Sequence, residues 1–204
     1  MPAKTKNKTK ERILANAEAL TLKQGFAGTS IDDILKATEI TKGAFFYHFK
    51  NKAELARALV ERYWAKDYQL FEQLSKRADE LSDDPLQSML IFLKLFEEVI
   101  EEWSEPPEGC IFASYVYQSQ QFNESISEFI ADSFIKWKQL YEDRIKQIMK
   151  KYPPRIETDA GELAEMIMSI IEGGFILSKS LQDAQLMARS VKQFRRYLQL
   201  IFEA

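Results

Sequence analysis

Histidine is almost missing from this chain: His48 stands alone among 204 residues. That excludes paired imidazoles for a metal and a histidine base for the serines, and no glycine-rich phosphate loop occurs either. Neither an enzyme nor a metal or cofactor is expected. Carboxylate pairs such as Glu162 and Glu165 read as helix surface. Cysteine is also scarce. Cys110 is the only one, which excludes an internal disulfide framework and fits a reducing compartment. No apolar run approaches the roughly 20 residues needed to span a bilayer, and the lysine-rich start KTKNKTK lacks the apolar core of a secretory signal. A cytoplasmic location without membrane contact is expected.

Proline and glycine are few as well. The six prolines (Pro2, Pro85, Pro106, Pro107, Pro153, Pro154) fall between periodic apolar segments, so they punctuate helices. With 46% apolar and 29% charged residues, the chain reads as a soluble all-α protein. The net charge of −3 argues at first against a nucleic-acid partner, but its distribution argues the other way. Residues 1–62 hold 12 Lys or Arg against 7 Asp or Glu, and the remainder 16 against 24. A basic head on an acidic body offers one end to DNA. Lys4, Lys6, Lys8 and Lys10 read either as a solvated tail or as an arm tracking phosphates.

What is present in that head is the stretch SIDDILKATEITKGAFFYHFKNK, residues 30–52. Ser30 can cap a helix by accepting the Asp33 amide, with Asp32 and Asp33 on the positive end of the helix dipole. Ile31, Ile34 and Leu35 share an apolar face. After Glu39 and Ile40, Thr41 can cap a second helix beginning Lys42, Gly43, Ala44, whose small residues allow close approach to DNA. Phe45 and Phe49 lie four apart and anchor it, leaving Lys42, Phe46, Tyr47 and His48 toward the outside. A short capped helix of this kind fits the major groove.

TKGAFFYHFKNKAEL, preceded by GFAGTSIDDIL, resembles the DNA-binding domain of the TetR family of bacterial transcriptional regulators over roughly residues 8–62. The resemblance implies that Thr29, Ser30, Thr41, Lys42, Phe46, Tyr47, His48 and Lys52 meet phosphates or base edges, with Gly43 and Ala44 at the close approach. Two positions depart from the family pattern. Glu39 stands where a glycine is usual, so it must accept a left-handed conformation. Phe46 stands where a tyrosine is usual, and Tyr47 can supply the missing hydroxyl.

A first helix is expected over Thr9–Lys23, with Ile13, Leu14, Ala17, Leu20 and Thr21 as its stripe and Gly25 as its stop. From Lys52 a long helix follows, on which Leu55, Leu59, Tyr63, Leu70 and Leu74 recur. The division expected is a helix-turn-helix domain with its basic arm over 1–51, and a helical effector-binding and dimerisation domain over 52–204. In the second, Asp83 or Asp84 caps a helix with Pro85 in its first turn, running to Trp103. Its run Glu97, Glu98, Glu101, Glu102 reads as a solvated face, or as one that turns a carboxylate toward a cationic effector. A short helix over GCIFASYVYQSQ and a long one ending before Tyr152 follow.

The last two segments, DAGELAEMIMSIIEGGFILSKSL and DAQLMARSVKQFRRYLQLIF, are apolar on more than one side and call for a second partner. Ile167, Ile171, Gly174, Leu177, Val191, Phe194 and Leu198 are expected at a homodimer interface, which the resemblance also implies. Phe92, Phe96, Trp103, Phe112, Tyr115, Phe134, Trp137 and Phe175 are candidates to line a pocket for a small apolar or aromatic effector, oriented by Ser114, Tyr115 or Gln118. The function expected is a ligand-responsive regulator, in the family's usual role a repressor, leaving a palindromic DNA operator when effector binds. The alternatives are a regulator that senses electrophiles or oxidants through Cys110, and one without any effector.

Overall fold

A computed structural model describes residues 2–118 and 124–202, with side chains from residue 8 onward. Its described secondary structure is all helical: α1 (Pro2–Gly28), α2 (Ile31–Thr38), α3 (Lys42–His48), α4 (Lys52–Leu81), α5 (Pro85–Glu101), α6 (Ile111–Tyr117), α7 (Glu124–Lys151), α8 (Ala160–Leu181) and α9 (Leu186–Phe202). No helix among the described residues is long and apolar enough to cross a membrane.

Helix ends follow local chemistry. Asp84 caps α5 through the Gln87 amide at 2.9 Å, and Pro85 fills the first position, where its missing N–H costs nothing. Asp159 and Glu162 form a reciprocal capping box on α8, so Glu162 serves a helix end. α1 starts at Pro2, upstream of the expected Thr9, which places the lysine-rich segment on helix. Gly25 breaks α1 as expected, with φ 77° and ψ 159°, and a last turn reaches Gly28 beyond it.

Contacts divide the chain into two compact units: Met1–Lys66 with Gly109–Ala131, and Asp67–Glu108 with Asp132–Ala204. The expected division at 51/52 therefore differs from the line along which the chain packs. α6 packs on α1, and the early turns of α4 belong with the same core. Ile13, Leu14, Ala17, Phe26, Ile34, Phe45, Phe49, Leu55, Leu59, Ile111, Phe112 and Tyr115 are among its buried residues. Leu20 of the expected stripe is only half-buried.

The second unit is built on α5, α8 and α9. Met89, Leu93, Ile167, Met187, Val191, Phe194 and Leu198 fill one continuous apolar core. Ile167, Val191, Phe194 and Leu198, expected at a dimer interface, are at most 1% exposed inside this core. Amphipathic helices satisfy their own core first. Gly174 likewise lets α8 approach α9 of the same chain, since a Cβ there would meet Met187 Cγ at 2.7 Å. Ile171 is half-buried, and only Leu177 of the seven stands well exposed, at 48%.

The glutamate run also differs from expectation. Glu98, Glu101 and Glu102 are exposed, but Glu97 is 1% exposed and receives Arg195 Nε at 2.6 Å and Nη2 at 3.2 Å. A carboxylate so far from water needs a charge-assisted pair, and α9 supplies it.

Candidate nucleic-acid interface

The reading pair is assembled by caps. Ser30 Oγ accepts the Asp33 amide at 3.0 Å, while Asp33 Oδ2 accepts the Ser30 amide at 2.9 Å and its hydroxyl at 2.6 Å. These bonds from Ser30 hold the Asp33 carboxyl below the usual carboxylate range. Thr38 Oγ1 donates to Ile34 O at 2.5 Å at the end of α2. Glu39 then turns the chain with φ 51°, the left-handed conformation expected of it, and its amide donates to Leu35 O. Thr41 caps α3 by accepting the Ala44 amide at 3.2 Å. The Ser30 and Thr41 caps are legible in the sequence because their partners lie within four residues.

α3 is two-faced. Phe45 and Phe49 are 0% and 1% exposed, with ring centroids 5.9 Å apart, and Phe46 sets its edge on Phe45 at 5.4 Å. On the other side Lys42 and Gly43 are exposed, Phe46 is 41% exposed and Tyr47 is 65% exposed. Ala44 and His48 are half-buried, and the His48 ring lies 5.2 Å from Tyr47. A Cβ on Gly43 would meet nothing within 4 Å, so the fold itself makes no use of this glycine. Glycine costs a helix about 1 kcal/mol relative to alanine.

Besides the caps Ser30 and Thr41, two more of the ten DNA candidates make contacts within the fold. Thr29 is 1% exposed, and its hydroxyl donates to Gly25 O at 2.8 Å, because the carbonyl at the break in α1 needs a donor. Lys52 Nζ donates to Phe26 O at 2.7 Å and lies 4.4 Å from the Phe26 ring. Desolvation there pushes its ammonium below the ordinary lysine range. Sequence reading missed Asn51, whose side chain accepts the Glu54 amide at 2.8 Å and caps α4 while Glu54 accepts the Lys50 amide at 2.8 Å. The signal was the spacing of Asn51 and Glu54, a capping-box pattern.

The effector candidates do not share one core. Phe112 and Tyr115 belong to the first unit, where Phe112 meets Tyr63 at 5.5 Å and Tyr115 meets Phe26 at 5.1 Å. The Tyr115 hydroxyl donates to Ala56 O at 3.3 Å, and burial pushes the phenol upward. In the second unit Phe92 joins Phe71 and Tyr141, Trp137 packs on both of those rings, and Trp103 stacks on Phe175 at 6.3 Å. Phe96 packs against the same core, and Phe134 is half-buried. An open groove of about 820 Å³ runs between α4 and α7, lined by Tyr68, Phe71, Glu72, Ser75, Lys76, Asp79, Glu80, Leu140, Asp143 and Arg144. None of the eight expected residues lines it. Ser114 is half-buried, and Gln118, expected to orient a ligand, spends its side-chain oxygen on the Ala27 amide at 2.9 Å. Cys110 is 7% exposed at the start of α6. Among the described residues no group of three His, Cys, Asp or Glu side chains could hold a metal ion.

Residues 13–59 match the model of the bacterial regulatory proteins, tetR family, and residues 85–193 match that of the transcriptional regulator LmrA/YxaF-like C-terminal domain. The HTH-type transcriptional regulator LmrA of Bacillus subtilis is 27% identical over 180 residues, covering 86% of this chain and 89% of its own. The HTH-type transcriptional repressor NemR of Escherichia coli is 36% identical over 70 residues, 34% of this chain and 35% of its own. A TetR transcriptional regulator from Chloroflexus aurantiacus superposes with a TM-score of 0.79 at 25% identity, over 98% of each chain. Two family models and a relative similar along most of its length agree with the two-faced reading helix: the chain belongs to the tetR family of bacterial regulatory proteins, and is a DNA-binding transcriptional regulator, not an enzyme.

Proposed function

We propose that this regulator is a repressor that holds a roughly palindromic operator as a homodimer and releases it when a small apolar or aromatic effector binds the helical body. The observation that carries the DNA contacts is the open face of α3, with Lys42, Gly43, Phe46 and Tyr47 outward and Phe45 and Phe49 inward. Lys42 and the capped ends at Ser30 and Thr41 neutralise or bond phosphates, the backbone approaches DNA at Gly43 and Ala44, and Phe46, Tyr47 and His48 face base edges. Residues 1–51 carry these contacts, and 52–204 carry effector binding and dimerisation.

One helix-turn-helix reads too few base pairs, and a second copy places two reading helices about 34 Å apart in successive major grooves. The α8 surface supports that partner. Met166, Leu177 and Leu181 are 38%, 48% and 65% exposed, and Ile170 and the open position Gly173 lie along the same helix face. The aromatic cluster of the second unit and the α4–α7 groove support an effector of ordinary size, since such sites span about 300–1,000 Å³. α4 contributes to both units, so effector binding that favours a different tilt of α4 carries to the reading pair through Lys52. A coupling of about 1 to 3 kcal/mol lowers operator affinity roughly 5- to 150-fold. The repressor NemR, similar over the reading domain, supports repression as the direction.

The test is a panel of small aromatic compounds read by thermal shift and by operator release. Compounds that raise the melting midpoint should also release DNA. A panel that moves neither contradicts the effector half of the proposal. Operator affinity should also fall about 10³- to 10⁵-fold between 50 and 200 mM salt if six to ten phosphates are contacted.

A further inference from the structure

The segment joining α1 to α2 is held from outside the reading pair. At Gly25, φ 77° and ψ 159° fall in a region essentially restricted to glycine. Just beyond the break, the Ala27 amide donates to Gln118 Oε1 at 2.9 Å, across 91 positions of sequence. The same side chain closes over the break, since a Cβ on Gly25 would lie 2.4 Å from Gln118 Nε2. Gln118 caps the C-terminal end of α6, and α6 is seated by Tyr115 against the Phe26 ring and the Ala56 carbonyl. Lys52 takes the Phe26 carbonyl from the α4 side. Thr29 returns its hydroxyl to Gly25 O one residue before the Ser30 cap.

We propose that Gln118 is a positioning residue for operator recognition: by holding the Ala27 amide over the flexible Gly25 break, it sets the angle at which α2 and α3 are presented. This rests on the reading of α3 as the DNA-contacting helix. A glycine break by itself leaves the following turn several accessible settings, and a side-chain amide on its first free N–H selects one. The bond lies on an exposed backbone, so water can replace it in the variant at little cost to stability. Base readout requires side chains placed within hydrogen-bond geometry, whereas phosphate attraction tolerates a changed angle. Specific and non-specific affinity therefore respond differently.

The experiment compares the full-length chain with Gln118→Ala, Gln118→Asn and Gln118→Glu. Each is titrated against an operator duplex that the wild type selects from random DNA, and against a random-sequence duplex of equal length. Gln118→Ala should lose about tenfold in operator affinity, equivalent to about 1.4 kcal/mol, while random-duplex affinity and the melting midpoint stay close to wild type. Gln118→Glu keeps the acceptor oxygen and should restore operator binding; the shorter Gln118→Asn should not. A merely structural role lowers both affinities together through the folded fraction and leaves their ratio unchanged. An unchanged ratio in Gln118→Ala, with wild type binding its operator, overturns the positioning role alone. Loss of the ratio in Gln118→Glu as great as in Gln118→Ala overturns it too. A wild type that selects no sequence overturns the DNA-contact reading, and this inference with it.

Discussion

The unit that carries α2 and α3 and the unit built on α5, α8 and α9 are held together by different means. In the first, α2, α3 and α4 begin at side-chain caps from Ser30, Thr41 and Asn51, and a few large aromatics, Phe26, Phe45, Phe49 and Tyr115, fill the space between them. In the second, long helices share a broad apolar core and one buried ion pair, Glu97 with Arg195. Caps fix where each short helix starts and leave its outer face free. A broad core fixes which face of a long helix is inside, and commits most of its apolar residues to the chain itself.

The largest expected effect breaks the second unit. Arg195→Ala leaves Glu97 uncompensated at 1% exposure and should cost about 3 to 5 kcal/mol, read as a lower urea midpoint. Replacing both, Glu97→Leu with Arg195→Met, should recover most of that loss. If the single variant unfolds at the wild-type midpoint, the ion pair contributes nothing to this unit.

Two helical glycines sharpen the contrast. Gly174→Ala drives a methyl against Met187 Cγ at 2.7 Å and should destabilise by about 1 to 3 kcal/mol. Gly43→Ala meets open space and should stabilise the fold by about 0.5 to 1 kcal/mol, yet weaken operator binding by about tenfold. Calorimetry and operator titration on the same two variants check both signs. A Gly43→Ala variant with full operator affinity would remove the argument for close approach at this position.

Glu39→Gly probes the turn. Relief of the left-handed backbone at φ 51°, partly offset by the added freedom of the unfolded chain, should raise the melting midpoint by about 1 to 3 °C. A lower midpoint would show that the Glu39 side chain contributes more than its backbone costs.

The smallest effect is acid-dependent. Asp84 accepts Lys151 Nζ, the Tyr152 hydroxyl and the Gln87 amide, and the Lys151 bond leads in lowering its pKa from 3.8 to about 2. A lowered folded-state value means this contribution is fully present above about pH 4 and is lost as pH falls toward 2. In Asp84→Asn the fall of the thermal midpoint between pH 4 and pH 2 should be shallower than in wild type. Equal slopes would show that the three contacts add nothing in solution.

Legibility followed sequence separation. The caps at Ser30, Thr41 and Asp84 are readable because donor and acceptor lie within a turn of each other, and the left-handed Glu39 follows from the resemblance, which puts a glycine at that turn. Glu97 reads as solvated in the sequence because its partner Arg195 lies 98 positions on. On α8 and α9 pattern and packing differ for a related reason. Periodicity shows that such a helix has an apolar stripe, but the stripe satisfied by α5 and α9 of the same chain reads like one left for a partner. The resemblance implies a DNA contact for Thr29, and only the break at Gly25 shows which carbonyl its hydroxyl serves.

Footprinting on the DNA flanking the protein's own gene shows whether the outward face of α3 reads DNA. A protected, roughly palindromic site, with half-sites one helical turn apart and lost in the double variant Lys42→Ala with Tyr47→Ala, is the expected result. No protected site, or the same protection with the double variant, would contradict it.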